Sequence, residues 1–143
     1  MILYRAGSYC YKKKIPILPK LFNALIRLIH NCAVFSETDI GENTIFGYGG
    51  IGVVIHKRTI IGKNCVIGSN VTIGGKSQSK EVPIIGDNCF IATGAKILGA
   101  IKIGDNCVIG ANAVVISDMP SNCVIAGIPA KVIKENINPE DFY

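Results

Sequence analysis

The chain has 143 residues, 49% of them hydrophobic and 17% charged, with 16 glycines, six cysteines and a formal net charge of +5. That length fits one domain, and so apolar a small chain is expected to have part of its outer surface covered by a partner. No run approaches a membrane span, no CxxC pair marks a metal or redox motif, and no basic stripe or known motif for nucleic acid runs through the body.

The charge is concentrated at the N-terminus. Arg5, Lys12, Lys13, Lys14, Lys20 and Arg27 face no acid before residue 33, while the rest of the chain is close to neutral. This arm is open to solvent, to a subunit contact or to an anionic membrane surface. Pro16, Pro19, Lys20 and Arg27 interrupt any signal-peptide core, so a reducing cytoplasm and free thiols are expected. Leu18, Leu21, Phe22, Leu25, Ile26 and Ile29 then fall at helical spacing, predicting an amphipathic helix over 18–30. Such a helix would cap the first turn of a stacked sheet, whose edge would otherwise stand open.

From about residue 33 an aliphatic followed by a small residue recurs every six positions. The pairs run through Ile40-Gly41, Phe46-Gly47, Ile55-His56, Ile61-Gly62, Ile67-Gly68 and Ile73-Gly74. They continue through Ile85-Gly86, Ile91-Ala92, Ile97-Leu98, Ile103-Gly104, Ile109-Gly110 and Val115-Ile116. This period fits neither an amphipathic helix nor a long two-sided strand. It fits short strands joined by tight corners, three to a turn, stacked as the parallel β-helix of a hexapeptide repeat. The register slips twice, near Gly47–Gly50 and over 75–80, and both slips are expected to be outward loops.

With those loops set aside, three inner columns form. They are Val34, Ile55, Ile73, Ile97, Val115, then Ile40, Ile61, Ile85, Ile103, then Phe46, Ile67, Ile91, Ile109. A fourth file reads Thr44, Cys65, Cys89, Cys107, with Cys10, Cys32 and Cys123 outside it. The three cysteines read as small inward fillers; no histidine joins them, so no metal is expected. The division is an arm and helix over 1–32, a coil over 33–126 and a tail over 127–143.

Three segments carry a family likeness: Asn70-Val71-Thr72-Ile73-Gly74-Gly75, Gly94-Ala95-Lys96-Ile97-Leu98-Gly99 and Ala126-Gly127-Ile128-Pro129-Ala130-Lys131. With the hexads they resemble the hexapeptide-repeat acyltransferases, in the serine acetyltransferase-like branch. The N-terminal arm resembles short versions among polysaccharide-biosynthesis enzymes. The resemblance implies an all-β, left-handed parallel β-helix with a short N-terminal helix and an extruded loop, a homotrimer, and acetyl-CoA lying between neighbouring coils. It implies cofactor contacts at Gly75, Thr93, Gly94, Ala111, Asn112 and Lys131.

Acetyl transfer to a hydroxyl needs a general base, and histidine suits it near neutrality. The chain offers two, His30 and His56. His30 ends the expected helix, where a helix C-terminus favours a cation. In the family a histidine precedes the strand matching Gly52-Val53-Val54-Ile55, and its place falls here at Tyr48 or Gly49; the aspartate that pairs with it falls at Ala33. A substrate-side Arg-His pair is replaced by Glu81-Val82. His56, at the corner of its hexad, is therefore the expected base, with Tyr48 and Glu81 orienting a small hydroxylated acceptor, serine or a sugar. The missing residues keep a second reading open, a catalytically impaired or regulatory CoA-binding trimer.

Overall fold

A computed structural model describes residues 2–77 and 79–142. Its hexads form strands of two or three residues, because each hexad supplies one inward aliphatic between two tight corners. The coil holds β1 (Asp39–Ile40), β2 (Ile45–Phe46), β3 (Val54–Ile55), β4 (Ile60–Ile61), β5 (Val66–Ile67), β6 (Thr72–Gly74), β7 (Ile84–Ile85), β8 (Phe90–Ile91), β9 (Lys96–Leu98), β10 (Lys102–Ile103), β11 (Val108–Ile109) and β12 (Val114–Val115). After them come β13 (Cys123–Gly127) and β14 (Ala130–Glu135).

These strands make three parallel walls. The first stacks β1, β4, β7 and β10, the second β2, β5, β8, β11 and β13, and the third β3, β6, β9 and β12. The registers Ile61↔Ile85, Ile67↔Ile91 and Ile73↔Ile97 reproduce the three predicted columns. Ile55, Ile67, Ile73, Ile91, Ile97 and Ile109 are fully buried. Each such side chain contributes roughly 1.5–3 kcal/mol through burial, and a narrow prism gains this once per wall per turn.

The edge between the first and second walls is unbroken. Asn43, Asn64, Asn88, Asn106 and Asn122 stand there one above another, each with positive φ, which asparagine tolerates better than most residues. Their side-chain amides form a ladder, each Nδ2 donating to the next Oδ1 at 2.9–3.2 Å. Beneath it runs the predicted cysteine file, and the thiols do more than fill space. Cys65 and Cys89 donate to the carbonyls of Gly86 and Gly104 at 3.3 Å, as the Thr44 hydroxyl donates to Gly62 at 2.8 Å. Cys123 also belongs to this file, contrary to the sequence reading: its Sγ lies 3.8 Å from Cys107 Sγ. The spacing hid it, because the last turn is shorter than the ones below.

The ends depart from the sequence reading in two further ways. The helix expected over 18–30 is α2 (Leu18–His30), but residues of the arm form another helix, α1 (Ile2–Lys12), packed against it. Gly7, which reads as a helix breaker, sits in that helix because a Cβ there would strike Ser36 Oγ and lie 2.9 Å from Phe22 Cβ. Arg5 donates to the carbonyls of Ile40 at 2.8 Å, Gly41 at 2.7 Å and Thr44 at 3.2 Å, and Tyr4 Oη to Thr38 at 2.6 Å. The arm thereby satisfies the open carbonyls of the first turn. At the other end, β14 folds back antiparallel on β13, and Ile137 packs on Val108, Val124 and Phe90 outside the second wall.

Candidate functional site

The other two edges are each interrupted once, and both interruptions carry chemistry. At the edge from the second wall to the third, residues Gly47–Gly50 form a single irregular turn in which Tyr48 (φ 51°) and Gly49 (φ 69°) are left-handed. Tyr48 is 80% exposed. Higher on the same edge lie the corners Thr93-Gly94 and Ala111-Asn112, tied by Asn112 N donating to Thr93 O at 3.0 Å. A Cβ at Gly94 would strike Asn112 Oδ1, so this glycine is also required by the stacking. Lys131 lies beyond them on β14, paired with Ala126 and exposed.

At the edge from the third wall to the first, His56 follows β3 and stacks directly below Gly74, through the register Ile55↔Ile73. A Cβ at Gly74 would meet nothing within 4 Å, so the surface above His56 is open. The extruded loop leaves here. Its base is closed by Gly75, whose Cβ position is 3.0 Å from Glu81 O, and by Ser79 Oγ accepting from Glu81 N at 3.1 Å. Gln78 falls outside the described residues. Glu81 shares a cavity of about 280 Å³ with Arg58, Ile60, Ile84 and Lys102, so two cations and one carboxylate line one recess beside the loop.

His56 is half-buried, and its Nδ1 accepts from the Arg58 amide at 3.2 Å. Partial burial, with help from the Arg58 and Lys57 charges, lowers its pKa below the ordinary imidazole value. The shift favours the neutral ring. Because Nδ1 accepts, the neutral ring carries its proton on Nε2.

The expected site residues thus divide between two edges of one chain. His56, Gly75 and Glu81 stand together on one; Tyr48, Thr93, Gly94, Ala111 and Asn112 stand on the other, with Lys131 above. The sequence reading placed Tyr48 near His56; within one chain the third wall separates them. Sequence reasoning also gave little weight to His30, the last residue of α2. Its ring Nδ1 lies 3.5 Å from where a Cβ of Gly49 would be. Only the packing of α2 against the coil could reveal this, since the two residues lie 19 positions apart in the chain.

Among the described residues no group of three His, Cys, Asp or Glu is arranged to hold a metal ion, and no helix is long and apolar enough to cross a membrane.

Comparison with known proteins agrees with the repeat. The bacterial transferase hexapeptide family (six repeats) matches residues 83–117, and the hexapeptide repeat of succinyl-transferase matches residues 58–75. A serine acetyltransferase of Synechococcus elongatus is 38% identical over 135 residues, covering 93% of this chain and 55% of that protein. This is a hexapeptide-repeat protein, serine acetyltransferase-like in sequence and in fold.

The hexapeptide-repeat chain superposes on the serine acetyltransferase of Brucella abortus with a TM-score of 0.88 and 27% identity, over 95% of this chain and 56% of that one. It superposes on a serine acetyltransferase in complex with CoA with a TM-score of 0.81 and 27% identity, over 92% of this chain and 54% of that one. Those structures have the left-handed parallel β-helix, and the hexapeptide-repeat coil described above shares it. The hand runs against the usual right-handed crossover preference. The chain spans little more than half the length of each of these relatives.

Proposed function

We propose that this protein is an acetyl-CoA-dependent O-acetyltransferase that moves the acetyl group directly to a hydroxyl of a small acceptor, with a histidine as general base. The observation that carries this reading is the pairing of the coil with one extruded loop, at whose base an open corner, Gly74-Gly75, stands over His56. Similarity to serine acetyltransferases, one of them solved in complex with CoA, supports acetyl-CoA as the donor and L-serine as the first acceptor to test. A hydroxylated sugar is the second.

The division of residues between two edges favours an assembly. One copy offers His56, Gly75 and Glu81, and its neighbour offers Tyr48 and the Thr93–Asn112 edge. A homotrimer of coils would bring these edges face to face three times. The exposed outward side chains Ile45, Val54, Ile60 and Ile84, each 39–55% accessible, supply apolar surface for such contacts. In this arrangement the pantetheine arm lies along the cleft and Lys131 stands near the nucleotide end. The cationic recess of Arg58 and Lys102, with Glu81 opposite, suits an acceptor bearing both a carboxylate and an ammonium group. The free thiols fit work in the cytoplasm.

No cysteine nucleophile is required, because the thioester is already activated. On this reading His56 is the base, and a backbone amide near Gly74 or Gly75 would stabilise the oxyanion. The test is titration calorimetry with CoA and acetyl-CoA, followed by thiol release in the presence of L-serine or a methyl glucoside. Heat of binding with acceptor-dependent thiol release supports the reading. Binding without release under any acceptor favours the regulatory CoA-binding trimer, and no binding removes both.

A further inference from the structure

The connection between α1 and α2 is closed by its own hydrogen bonds, yet its residues depart from the habit of the rest of the chain. Gly7 of α1 lies against Phe22 of α2, so the two helices run back along each other and the connection forms their tip. Lys14 N donates to Tyr11 O at 2.9 Å and Ile15 N to Cys10 O at 3.0 Å, closing the end of α1. Leu21 N donates to Ile17 O at 3.1 Å as α2 begins. This geometry holds Lys14 (φ 55°) and Ile17 (φ 71°) in the left-handed region. Among the described residues, nine of the twelve non-glycine positions with positive φ are asparagine; the others are Tyr48, Lys14 and Ile17. Asparagine or glycine would fit both turn positions with less strain, and a β-branched residue fits worst. Ile17 also stands where a helix start favours a side-chain oxygen, and it makes no cap hydrogen bond. Its side chain is 76% exposed. Strain held at an exposed aliphatic points to a use for that side chain outside the fold.

The neighbours of Ile17 give this surface its chemistry. Tyr11, Ile15, Leu18 and Leu21 are exposed apolar side chains, and Lys12, Lys13, Lys14 and Lys20 are exposed among them. Tyr11, Lys12, Lys14 and Ile15 line one recess of about 470 Å³, so two lysines and a phenol flank a space beside apolar groups. Lys13 Nζ lies 5.8 Å from the centre of the Tyr9 ring. Two acids, Glu37 and Asp39, share a separate recess with Tyr11 and Lys12; among the described residues neither forms an ion pair with these lysines. The partner of such a surface must be anionic and must also accept apolar side chains. A nucleic acid backbone meets only the first demand. A second copy of the tip meets only the second, since a two-fold contact would set lysines against lysines. An anionic bilayer surface meets both.

We propose that the tip of this hairpin, residues 11–21, docks on an anionic lipid surface. Ile15, Ile17, Leu18 and Leu21 enter the boundary between headgroups and acyl chains, as the apolar face of an interfacial helix does. The lysines lay their stems along that boundary and keep their ammonium groups at headgroup phosphates, with one phosphate seated between Lys12 and Lys14. The attraction falls off within about a Debye length, so contact is made by the tip and not by the near-neutral coil. The proposal is independent of the acetyl-transfer reading, because the tip shares no residue with either interrupted edge.

The experiment is flotation of the full chain with vesicles of phosphatidylcholine alone or mixed with phosphatidylglycerol. Binding to the mixed vesicles is expected at low salt, and it should weaken as salt is raised. Each lysine near an anionic surface strengthens binding roughly fivefold. Lys12→Gln, Lys13→Gln and Lys14→Gln together are therefore expected to weaken it on the order of a hundredfold. Ile17→Asn separates docking from folding. It suits the left-handed backbone, so its thermal unfolding midpoint should equal or exceed that of the wild type. Its binding to mixed vesicles should be about tenfold weaker, because one buried aliphatic is lost. Inorganic phosphate at matched ionic strength is expected to leave flotation unchanged; displacement by it would assign the lysines to a free anion and overturn the proposal. So would equal flotation with neutral vesicles, no flotation with anionic ones, or wild-type affinity in the triple-lysine or the Ile17→Asn protein. Self-association that Ile17→Asn abolishes, with no flotation, overturns it in favour of a contact between copies.

Discussion

Two edges of the same prism show what a six-residue repeat can and cannot do. The edge between the first and second walls repeats without a break, and every layer satisfies the next. Its asparagine side chains form a ladder, Asp87 and Asp105 accept from the amides of Lys63 and Asp87 at 2.8 Å, and its thiols reach the carbonyls above them. The edge between the third wall and the first is built from the same hexads, yet it loses the repeat over 75–80 and leaves Gly74 open. The polar edge uses its side-chain hydrogen bonds between layers. The interrupted edge has unfilled space, two cations, a carboxylate and an imidazole. Regularity yields stability, and the breaks in it leave room for chemistry.

The largest test of this contrast is a matched pair of glycine substitutions. Gly62→Ala places a Cβ 2.5 Å from the Gly86 carbonyl oxygen on the closed edge. The backbone must shift, and a loss of about 3 kcal/mol is expected, at the upper end for overpacking. Gly74→Ala, facing open space, is expected to stay within about 0.5 kcal/mol. Denaturant unfolding of both variants measures the difference, and equal costs would dissolve the distinction between the edges.

The asparagine ladder is a smaller effect with its own control. Asn88→Ala loses both neighbouring side-chain bonds and a residue suited to its φ of 54°, for about 2 kcal/mol. Asn88→Gly keeps the backbone freedom and loses only the bonds, so about 1 kcal/mol is expected. If the two cost the same, the ladder's bonds matter and the left-handed backbone does not.

Thiol labelling sharpens the comparison without mutation. Cys65, Cys89, Cys107 and Cys123 are fully buried within the closed edge, and burial pushes the Cys123 thiol up to about 12. Cys10 is partly exposed. Under native conditions a thiol reagent should modify Cys10 rapidly and the file only at the rate of unfolding; fast labelling of Cys89 would show that this edge opens.

The smallest expected effect is electrostatic. Partial burial, Arg58 and Lys57 together lower the His56 pKa, so its NMR titration midpoint should lie below 6.5. Arg58→Gln removes one of the lesser causes and should move the midpoint up slightly. Between the lowered folded value and 6.5 the unfolded chain binds more protons, so His56 makes the fold less stable as pH falls through that window. A midpoint at or above 6.5 would mean that the ring is solvated and not part of a structured edge.

The sequence by itself determined the coil. The three isoleucine columns, both interruptions, the helix over 18–30 and the cysteine file were legible, because a solenoid stacks like residues over like and makes local spacing report a distant contact. The sequence reading missed the asparagine ladder, although its residues precede each cysteine in Gly62-Lys63-Asn64-Cys65, Gly86-Asp87-Asn88-Cys89 and Gly104-Asp105-Asn106-Cys107. What lay off the repeat was not legible. α1 is held by Arg5 and Tyr4 bonding to the first turn, Cys123 joins its file through a shortened last turn, and His30 meets Gly49 only because the helix end is tied to Gly52. These contacts depend on how non-repeating segments pack against the coil, and no period in the chain encodes that packing. Tertiary structure alone decided that the two imidazoles stand on different edges.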